Sequence, residues 1–198
     1  MQILKIDSST SGLASVSREL TEAAVEHFRA KHPEAKVVYR DLATDPLPHM
    51  DEVATGALRA PPEMQTEEMK AAVPAEREVF DEFTSSEIVV IGAPMYNFSV
   101  PSQLKAWLDR LAIPGLSFSY SEAGPQGLAG GRRVIVVSAQ GGMYEAGDPA
   151  EHQESMLKVF FALIGIPDIE IIRANKTGFG PEMREAAIAE AKAEIAKL

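Results

Sequence analysis

Apolar residues follow two patterns that alternate along this chain. Short unbroken apolar runs, of which IVVI at residues 88–91 is the clearest, are typical of strands that are covered on both faces. Such runs predict five strands, at residues 2–7, 36–40, 88–91, 133–138 and 169–173. Between them, apolar residues at helical spacing predict five helices: one capped by Ser15 or Ser17 and ending near residue 31, one at 67–85, one opened by Pro101, one at 150–164 and one at 181–197.

Strands that alternate with helices and are joined by right-handed crossovers form a parallel sheet with helices on both faces. At 198 residues, the chain is long enough for one such domain and short for two. We therefore expect a single α/β domain over residues 1–198, a three-layer, doubly wound, five-stranded parallel sheet in flavodoxin-like order. Two segments lie outside the alternation. Residues 41–74, rich in proline, are expected to form an irregular excursion with a short helical piece at 53–58, and residues 115–131 a hairpin or ordered flap.

The charge and the hydropathy of the chain exclude two classes of partner. A formal net charge of −10 argues against DNA or RNA, because nucleic-acid binding depends on neutralisation of phosphates by Lys and Arg. No apolar run approaches the ~20 residues that a membrane span requires. The N-terminus lacks the zones of a signal peptide, so the cytoplasm is the expected location.

The residue types also restrict the chemistry. The chain contains no cysteine, which excludes disulfides, thiolate catalysis and Cys-based metal or iron–sulfur sites. The histidines show no metal-ligand spacing, and no metal is expected: His27, His32, His49 and His152. Any redox chemistry must therefore come from a bound organic cofactor. Trp107 shares helical spacing with leucines and is expected in the core or at a subunit contact.

Three unusual loops follow the first, third and fourth predicted strands, whose carboxyl ends lie together where the strand order reverses. The phosphate loop, residues 8–17, is rich in hydroxyls and opens a helix, so N–H groups, the helix dipole and serines can hold a phosphate. Because the loop lacks the lysine of a P-loop and the GxGxxG of a dinucleotide fold, we expect a monophosphate held without a cationic side chain. The alternative is that the serines only cap the helix.

The ring loop, residues 94–98 (PMYNF), carries large flat side chains and an amide that suit a planar ring. The alternative is that Tyr96 and Phe98 close the top of the core. The glycine loop, residues 139–143, places paired glycines where backbone must approach a flat ligand, or where the chain simply turns. We expect Asn97 and the N–H groups of Gly141 and Gly142 to contact the polar edge of the ring. Together the three loops predict an FMN site.

The motifs resemble those of the FMN-dependent NADH:quinone oxidoreductase and azoreductase family. The resemblance covers nearly the whole chain, and it depends on SS followed by SxS in the phosphate loop, APMYNFSVPSQLKAWLDR, FSYSEAGPQGL, the glycine pair, RDLATDPLP and FGPEM. It implies a flavodoxin-like homodimer with one FMN per subunit near the interface. It also implies two-electron transfer from NADH or NADPH to quinones and azo compounds, with donor and acceptor occupying the same space in turn.

The resemblance also implies roles for individual residues. The phosphate would contact Ser9, Ser15, Val16 and Ser17. The flavin ring and its ribityl chain would be held by Pro94, Met95, Tyr96, Asn97 and Phe98, and the polar edge of the ring by Ala139, Gln140, Gly141 and Gly142. Tyr120, Phe161 and Ala162, with Phe98, would form the substrate pocket, across the subunit interface. No catalytic side chain is expected, because the flavin carries the chemistry.

One departure from the family is visible. Many relatives have Ser-Arg where this chain has Ala139-Gln140, so a cation near the pocket is lost, which bears on nucleotide preference and on anionic substrates. Two rival functions remain open. One is a flavodoxin-type carrier of single electrons, which the acidity favours but the excursion and the flap do not. The other is a flavin-free scaffold or regulatory protein.

Overall fold

Five parallel strands and the helices that flank them form the centre of the molecule. The computed structural model describes residues 1–144 and 147–198. The strands are β1 (Gln2–Asp7), β2 (Lys36–Asp41), β3 (Ile88–Pro94), β4 (Phe118–Ser121), β5 (Gly124–Gly127), β6 (Arg133–Ala139) and β7 (Glu170–Ala174). The helices are α1 (Val16–Lys31), α2 (Glu52–Arg59), α3 (Glu67–Thr84), α4 (Ser102–Leu111), α5 (Gln153–Leu163) and α6 (Pro181–Ile195).

The strand order of the large sheet is β2-β1-β3-β6-β7, which confirms the flavodoxin-like prediction. All four pairings are parallel. The chain passes from β1 to β2 on one side and then returns to β3 on the other, so the order reverses between β1 and β3. The carboxyl ends of β1, β3 and β6 therefore lie side by side, with Asp7 opposite Gly92 and Pro94 opposite Ala139. This edge is where ligands bind in open α/β sheets.

Each face of the sheet is covered by its own apolar layer, which explains the unbroken run at residues 88–91. Val89 and Ile91 face the layer that includes Phe83, Trp107 and Phe161 of α3, α4 and α5. Ile88 and Val90 face the opposite layer, formed with α1 and α6. Trp107 is fully buried, with its ring 6.0 Å from that of Phe83, so its expected place in the core is confirmed.

Local signals account for most helix boundaries. Ser15 caps α1 and accepts the N–H of Arg18 at 3.2 Å. Pro101 is the residue before α4 rather than its first helical residue, and the helix begins at Ser102. This small correction has a simple reason, since Pro101 has the extended ψ of 147° that a cap residue adopts.

The segment between β2 and α3 is more ordered than its prolines suggest. Asp51 accepts the N–H of Ala54 at 2.8 Å and thereby starts α2, which packs against α3. A Cβ on Gly56 would lie 2.4 Å from the sulfur of Met69, so the two helices approach closely at this glycine. The short helical piece expected at residues 53–58 is therefore confirmed as α2, which is one residue longer at each end and is stabilised by one cap and one close contact.

The predicted flap is an antiparallel hairpin of β4 and β5. Its base contacts the end of α5, where the backbones of Gly127 and Gly165 touch: a Cβ on Gly127 would lie 2.1 Å from the Gly165 nitrogen. Over residues 1–144 and 147–198, the structure contains no helix with the length and hydropathy of a membrane span.

Candidate functional site

A cavity of about 160 Å³ opens at the carboxyl ends of β1, β3 and β6. All three loops that the sequence singled out contribute to its wall, together with the segment between β7 and α6. The lining residues are Ser9, Ser11, Ala14, Ser15, Val16, Ser17, Pro94, Tyr96, Ala139, Gly141, Thr177 and Arg184. The predicted convergence of the three loops is therefore present in the fold.

The phosphate loop presents an anion-binding arrangement to this cavity. Val16 and Ser17 are the first residues of α1, and in the described part of the chain their N–H groups have no protein acceptor. The hydroxyls of Ser15 and Ser17 lie 3.1 Å apart beside them, and both side chains are buried. Free N–H groups at the positive end of a helix dipole favour a phosphate.

The ring loop forms a tight two-residue turn. Tyr96 and Ser99 exchange backbone hydrogen bonds of 2.8 and 3.2 Å, and Asn97 and Phe98 between them have positive φ values of 49° and 74°. Two consecutive positive φ values are the signature of a type I′ turn. The turn projects Phe98 outward, where its side chain is 49% exposed. An exposed apolar ring in strained backbone, two residues after Tyr96 of the cavity wall, indicates a contact surface rather than a core plug.

Tyr96 connects the ring loop with the phosphate loop. Its hydroxyl accepts the N–H of Thr10 at 3.0 Å and lies 3.4 Å from the Ser9 hydroxyl. Burial alone would raise the pKa of the Tyr96 phenol, but hydrogen bonds from Ser9 and Thr10 outweigh burial and lower the pKa below its ordinary value. Met95 links the ring loop to the glycine loop, because its N–H donates to the Ala139 carbonyl at 2.8 Å.

The glycine loop has its carbonyl groups engaged and its N–H groups open. The carbonyls of Gln140, Gly141 and Gly142 accept N–H groups of residues 176–178 at 2.7 to 3.1 Å. Over the described residues, the N–H groups of Gly141 and Gly142 have no acceptor. Gly141 is exposed and Gly142 half-buried, so both N–H groups are open to a ligand, and their contact with a polar ring edge stays a prediction.

Gln140 is placed differently from the prediction. Its side chain is 1% exposed and turned into the protein, where its amide nitrogen lies 3.2 Å from the Ser138 hydroxyl. Gln153 completes this buried network: it accepts from Ser138 at 2.8 Å and donates to the Ala93 carbonyl at 2.8 Å. The Gln140 side chain therefore supports the strand ends from below and does not line the cavity. Its backbone N–H donates to the Ala174 carbonyl at 2.9 Å, so this placement does not support Gln140 as a cofactor contact.

The predicted substrate-pocket residues are only partly at the surface. Tyr120 is 76% exposed on the hairpin, and Ala162 lies on the exposed side of α5. Phe161 corrects the prediction, because its ring is fully buried in the core and tilted against that of Phe83 at 6.4 Å. Position 161 points into the sheet and position 162 away from it, and sequence similarity alone did not separate the two.

Thr177 and Arg184 line the cavity and were missed by the sequence analysis. The FGPEM segment was noticed only as part of a family resemblance, although it follows a strand that ends at the same edge of the sheet. Arg184 brings a cationic side chain to the cavity where the sequence analysis expected none, since its guanidinium reaches across from α6 and donates to the Ala14 carbonyl at 2.8 Å.

A larger cavity of about 510 Å³ lies on the other side of the phosphate loop. Its charged groups are already paired: Arg18 donates to both carboxylate oxygens of Asp41, at 2.6 and 2.8 Å. Hydrogen bonding to Arg18 holds the pKa of Asp41 well below its ordinary value, whereas burial raises the pKa of Asp7. The donors without partners lie in the smaller cavity, which is therefore the candidate site.

The donor set fits a phosphorylated flavin. An anion-binding helix terminus, an aromatic turn and two open N–H groups lie within one sheet edge, and they match a phosphate, a planar ring and a polar ring edge. No cluster of three or more metal-ligating side chains occurs in residues 1–144 and 147–198.

Comparison with known proteins agrees with this geometry. The family model described as Flavodoxin-like fold matches residues 1–198. A protein of Rhizobium meliloti called FMN-dependent NADH:quinone oxidoreductase is 47% identical over 202 residues, which cover 100% of this chain and 96% of the relative. FMN-dependent NADH:quinone oxidoreductase 1 of Pseudomonas putida is 45% identical over 196 residues, covering 99% and 97%.

Solved structures show the same relationship. The azoreductase AzrA superposes with a TM-score of 0.89 at 27% identity, over 100% of this chain and 98% of that one. An FMN-dependent NADH-azoreductase of Bacillus anthracis, crystallised in complex with FMN, superposes with a TM-score of 0.84 at 27% identity, over 99% and 98%. The chain belongs to this flavodoxin-like family, that of the FMN-dependent NADH:quinone oxidoreductases and azoreductases.

Proposed function

We propose that this protein binds FMN, with its phosphate in the 160 Å³ cavity and its ring on the ring loop and the glycine loop, and transfers two electrons from NADH to quinones and azo compounds. One observation supports the proposal most strongly: N–H groups without protein partners, from the start of α1 and from the glycine loop, lie at the same end of the sheet as the ring loop. The names of the relatives supply the cofactor, the donor and the acceptors.

In this proposal the side chains bind and orient, and we assign none of them as an acid or base. The phosphate is held by the N–H groups of Val16 and Ser17 and by the hydroxyls of Ser9, Ser15 and Ser17. The ring loop, residues 94–98, supports the ring and the ribityl chain, and Gly141 and Gly142 donate to the polar edge of the ring. Bound FMN supplies the two-electron chemistry.

The donor and the acceptor occupy the same space in turn, which gives ping-pong kinetics. Phe98 and Tyr120 are half-exposed or exposed aromatic residues beside the candidate site and on the hairpin, and they provide apolar contacts for a flat substrate. A pocket that holds one planar partner at a time favours this alternation. NADH is the proposed donor, because the names of the relatives include it, and the cytoplasm is the expected location.

The substrate pocket is completed by a second copy of the chain. An apolar groove of about 500 Å³ on α4 and α5 includes Val159, which is 73% exposed, with Met156, Phe160 and Leu163. His152 lines the same groove and donates its N–H to the Phe98 carbonyl at 3.0 Å. A subunit seated in this groove would therefore lie beside the ring loop and could present Tyr120 and Ala162 to the pocket.

The decisive experiment is anaerobic reduction of the yellow protein by NADH or NADPH, followed by mixing with a benzoquinone. We expect NADH to bleach the flavin and the quinone to restore its colour within one turnover. Accumulation of a one-electron-reduced flavin during titration with dithionite would instead favour the carrier. A colourless protein that does not take up FMN would favour the scaffold. For the dimer, Val159→Glu should yield monomers in sedimentation velocity, whereas exposed Glu182→Gln on α6 should not.

A further inference from the structure

Arg184 is a cation at the candidate site that the sequence patterns did not anticipate. It lies in the first turns of α6, and its guanidinium faces the start of α1 across the cavity that Ser15, Val16 and Ser17 also line. One of its terminal nitrogens donates to the Ala14 carbonyl at 2.8 Å. This bond fixes the position of the guanidinium at the rim of the phosphate loop.

The remaining donors of Arg184 are not engaged by the protein. No carboxylate lies within salt-bridge distance of Arg184 in the described part of the chain, although Glu182 and Glu185 are close in sequence. A guanidinium carries five N–H donors, and only the bond to Ala14 is made here. A cation in the first turns of a helix is also disfavoured by the helix dipole. An anion in the cavity would accept hydrogen bonds from the unpaired donors and would offset the unfavourable interaction of the cation with the helix dipole.

Arg18 provides an internal comparison, because it contacts the same loop. Its guanidinium donates to the Ser9 carbonyl at 3.0 Å, as Arg184 does to Ala14, but it also forms a two-bond pair with Asp41. Arg18 therefore supports the loop with its charge already neutralised. Arg184 has a similar backbone contact and a charge that is still free to bind a ligand.

We propose that Arg184 is a specificity residue that binds the terminal phosphate of the flavin and thereby selects FMN over riboflavin. This inference rests on the proposed function, since it requires a flavin in the cavity. The planar fork of a guanidinium matches two phosphate oxygens at once. Its contribution should therefore depend on the phosphate alone and should not extend to the ring, which the ring loop and the glycine loop hold.

The test compares the affinities of the full-length chain for FMN and for riboflavin, by quenching of flavin fluorescence after the bound flavin has been removed. Arg184→Gln should weaken FMN binding by about 10- to 100-fold, the loss expected for one charge-assisted contact, and should change riboflavin binding by less than about twofold. It should also reduce the salt dependence of FMN binding. Arg184→Lys should restore part of the FMN affinity.

Two control variants distinguish a specific contact of Arg184 with the phosphate from a general effect of net charge and from a loss of support for the phosphate loop. Arg29→Gln, at the exposed far end of α1, changes the net charge equally and should leave both affinities unchanged. Arg18→Gln should weaken both flavins by the same factor. Equal losses for FMN and riboflavin in Arg184→Gln, or no loss for either, would overturn the inference while FMN binding by the unaltered chain upholds the proposed function. If the unaltered chain binds neither flavin, the proposed function itself fails.

Discussion

The hydroxyl of Tyr96 accepts the backbone N–H of Thr10 at 3.0 Å and also lies 3.0 Å from the Thr10 hydroxyl. Two segments separated by more than eighty residues are thereby joined at one atom. The geometry of the cavity depends on this contact, because the phosphate loop has few other bonds to the ring loop. The same side chain thus joins the two loops and lines the candidate cavity.

Tyr96→Phe should therefore weaken FMN binding with little loss of stability. Removal of the hydroxyl leaves the Thr10 N–H without its acceptor and frees the loop, at a cost of about 1 to 2 kcal/mol in binding free energy. Titration with FMN, followed by flavin fluorescence, measures this loss of affinity. Tyr120→Phe is the matched control for FMN affinity, since Tyr120 is an exposed tyrosine on the hairpin that does not line the candidate site. Equal effects of the two substitutions would contradict the prediction.

Phe98→Gly should increase the stability of the flavin-free protein but decrease its affinity for FMN. A glycine relieves the positive φ of 74° at this position, which costs a non-glycine residue about 1 kcal/mol, but it removes an aromatic surface for the ring. Compared with Phe179→Gly, at an exposed phenylalanine without a positive φ, the variant should be about 1 kcal/mol more stable to urea in the absence of flavin. Its FMN affinity should nevertheless fall, and unchanged FMN affinity would argue against Phe98 as a ring contact.

Gln153→Leu should destabilise the protein more than a typical surface substitution. Gln153 is fully buried and serves both the Ser138 hydroxyl and the Ala93 carbonyl. Leucine would leave those groups without partners, at a cost of about 2 to 4 kcal/mol of unfolding free energy. Gln126→Leu, on the exposed strand of the hairpin, should change stability by less than about 0.5 kcal/mol. Urea unfolding of both variants measures the difference.

Asp41→Asn should destabilise the protein at neutral pH, and this destabilisation should decrease in acid. Hydrogen bonds from Arg18 lower the folded-state pKa of Asp41 below its ordinary 3.8, so the charged form contributes stability above that pH, and this stability is lost as the pH falls through the folded pKa. The gap in unfolding free energy between the unaltered chain and the variant should be about 2 kcal/mol at pH 7. It should narrow below about pH 4.

Urea unfolding between pH 3 and pH 7 measures this gap. The exposed Asp168→Asn serves as the control and should show a small difference at every pH. A gap for Asp41→Asn that is independent of pH would show that its ion pair with Arg18 adds nothing to stability.

The sequence predicted the features whose signals are local. The five strands of the large sheet, the capped start of α1 and the hairpin all follow from runs, spacing and turn residues, and the convergence of the three loops follows from strand order alone. Arg184 could not be foreseen in the same way. Its place at the cavity depends on how α6 packs against the start of α1, a tertiary contact that the predicted helix and strand boundaries do not specify.

The orientation of individual side chains was the second feature that the sequence did not predict. Gln140 lies in a predicted loop, yet its side chain turns inward to Ser138 because the buried Gln153 offers it a polar partner. Phe161 and Ala162 are neighbours with opposite orientations on α5. A one-residue difference on a helix exchanges core and surface, and the similarity of motifs does not resolve it.

The contact between Gly127 and Gly165 determines where this enzyme can adapt. Because no side chain fits between these two backbones, the root of the hairpin is fixed to the end of α5, and only the distal residues near Tyr120 remain free to vary in size or position. We expect that acceptors of different bulk are accommodated by changes at that distal end, and that selection for new dyes or quinones would enrich substitutions there while leaving both glycines intact.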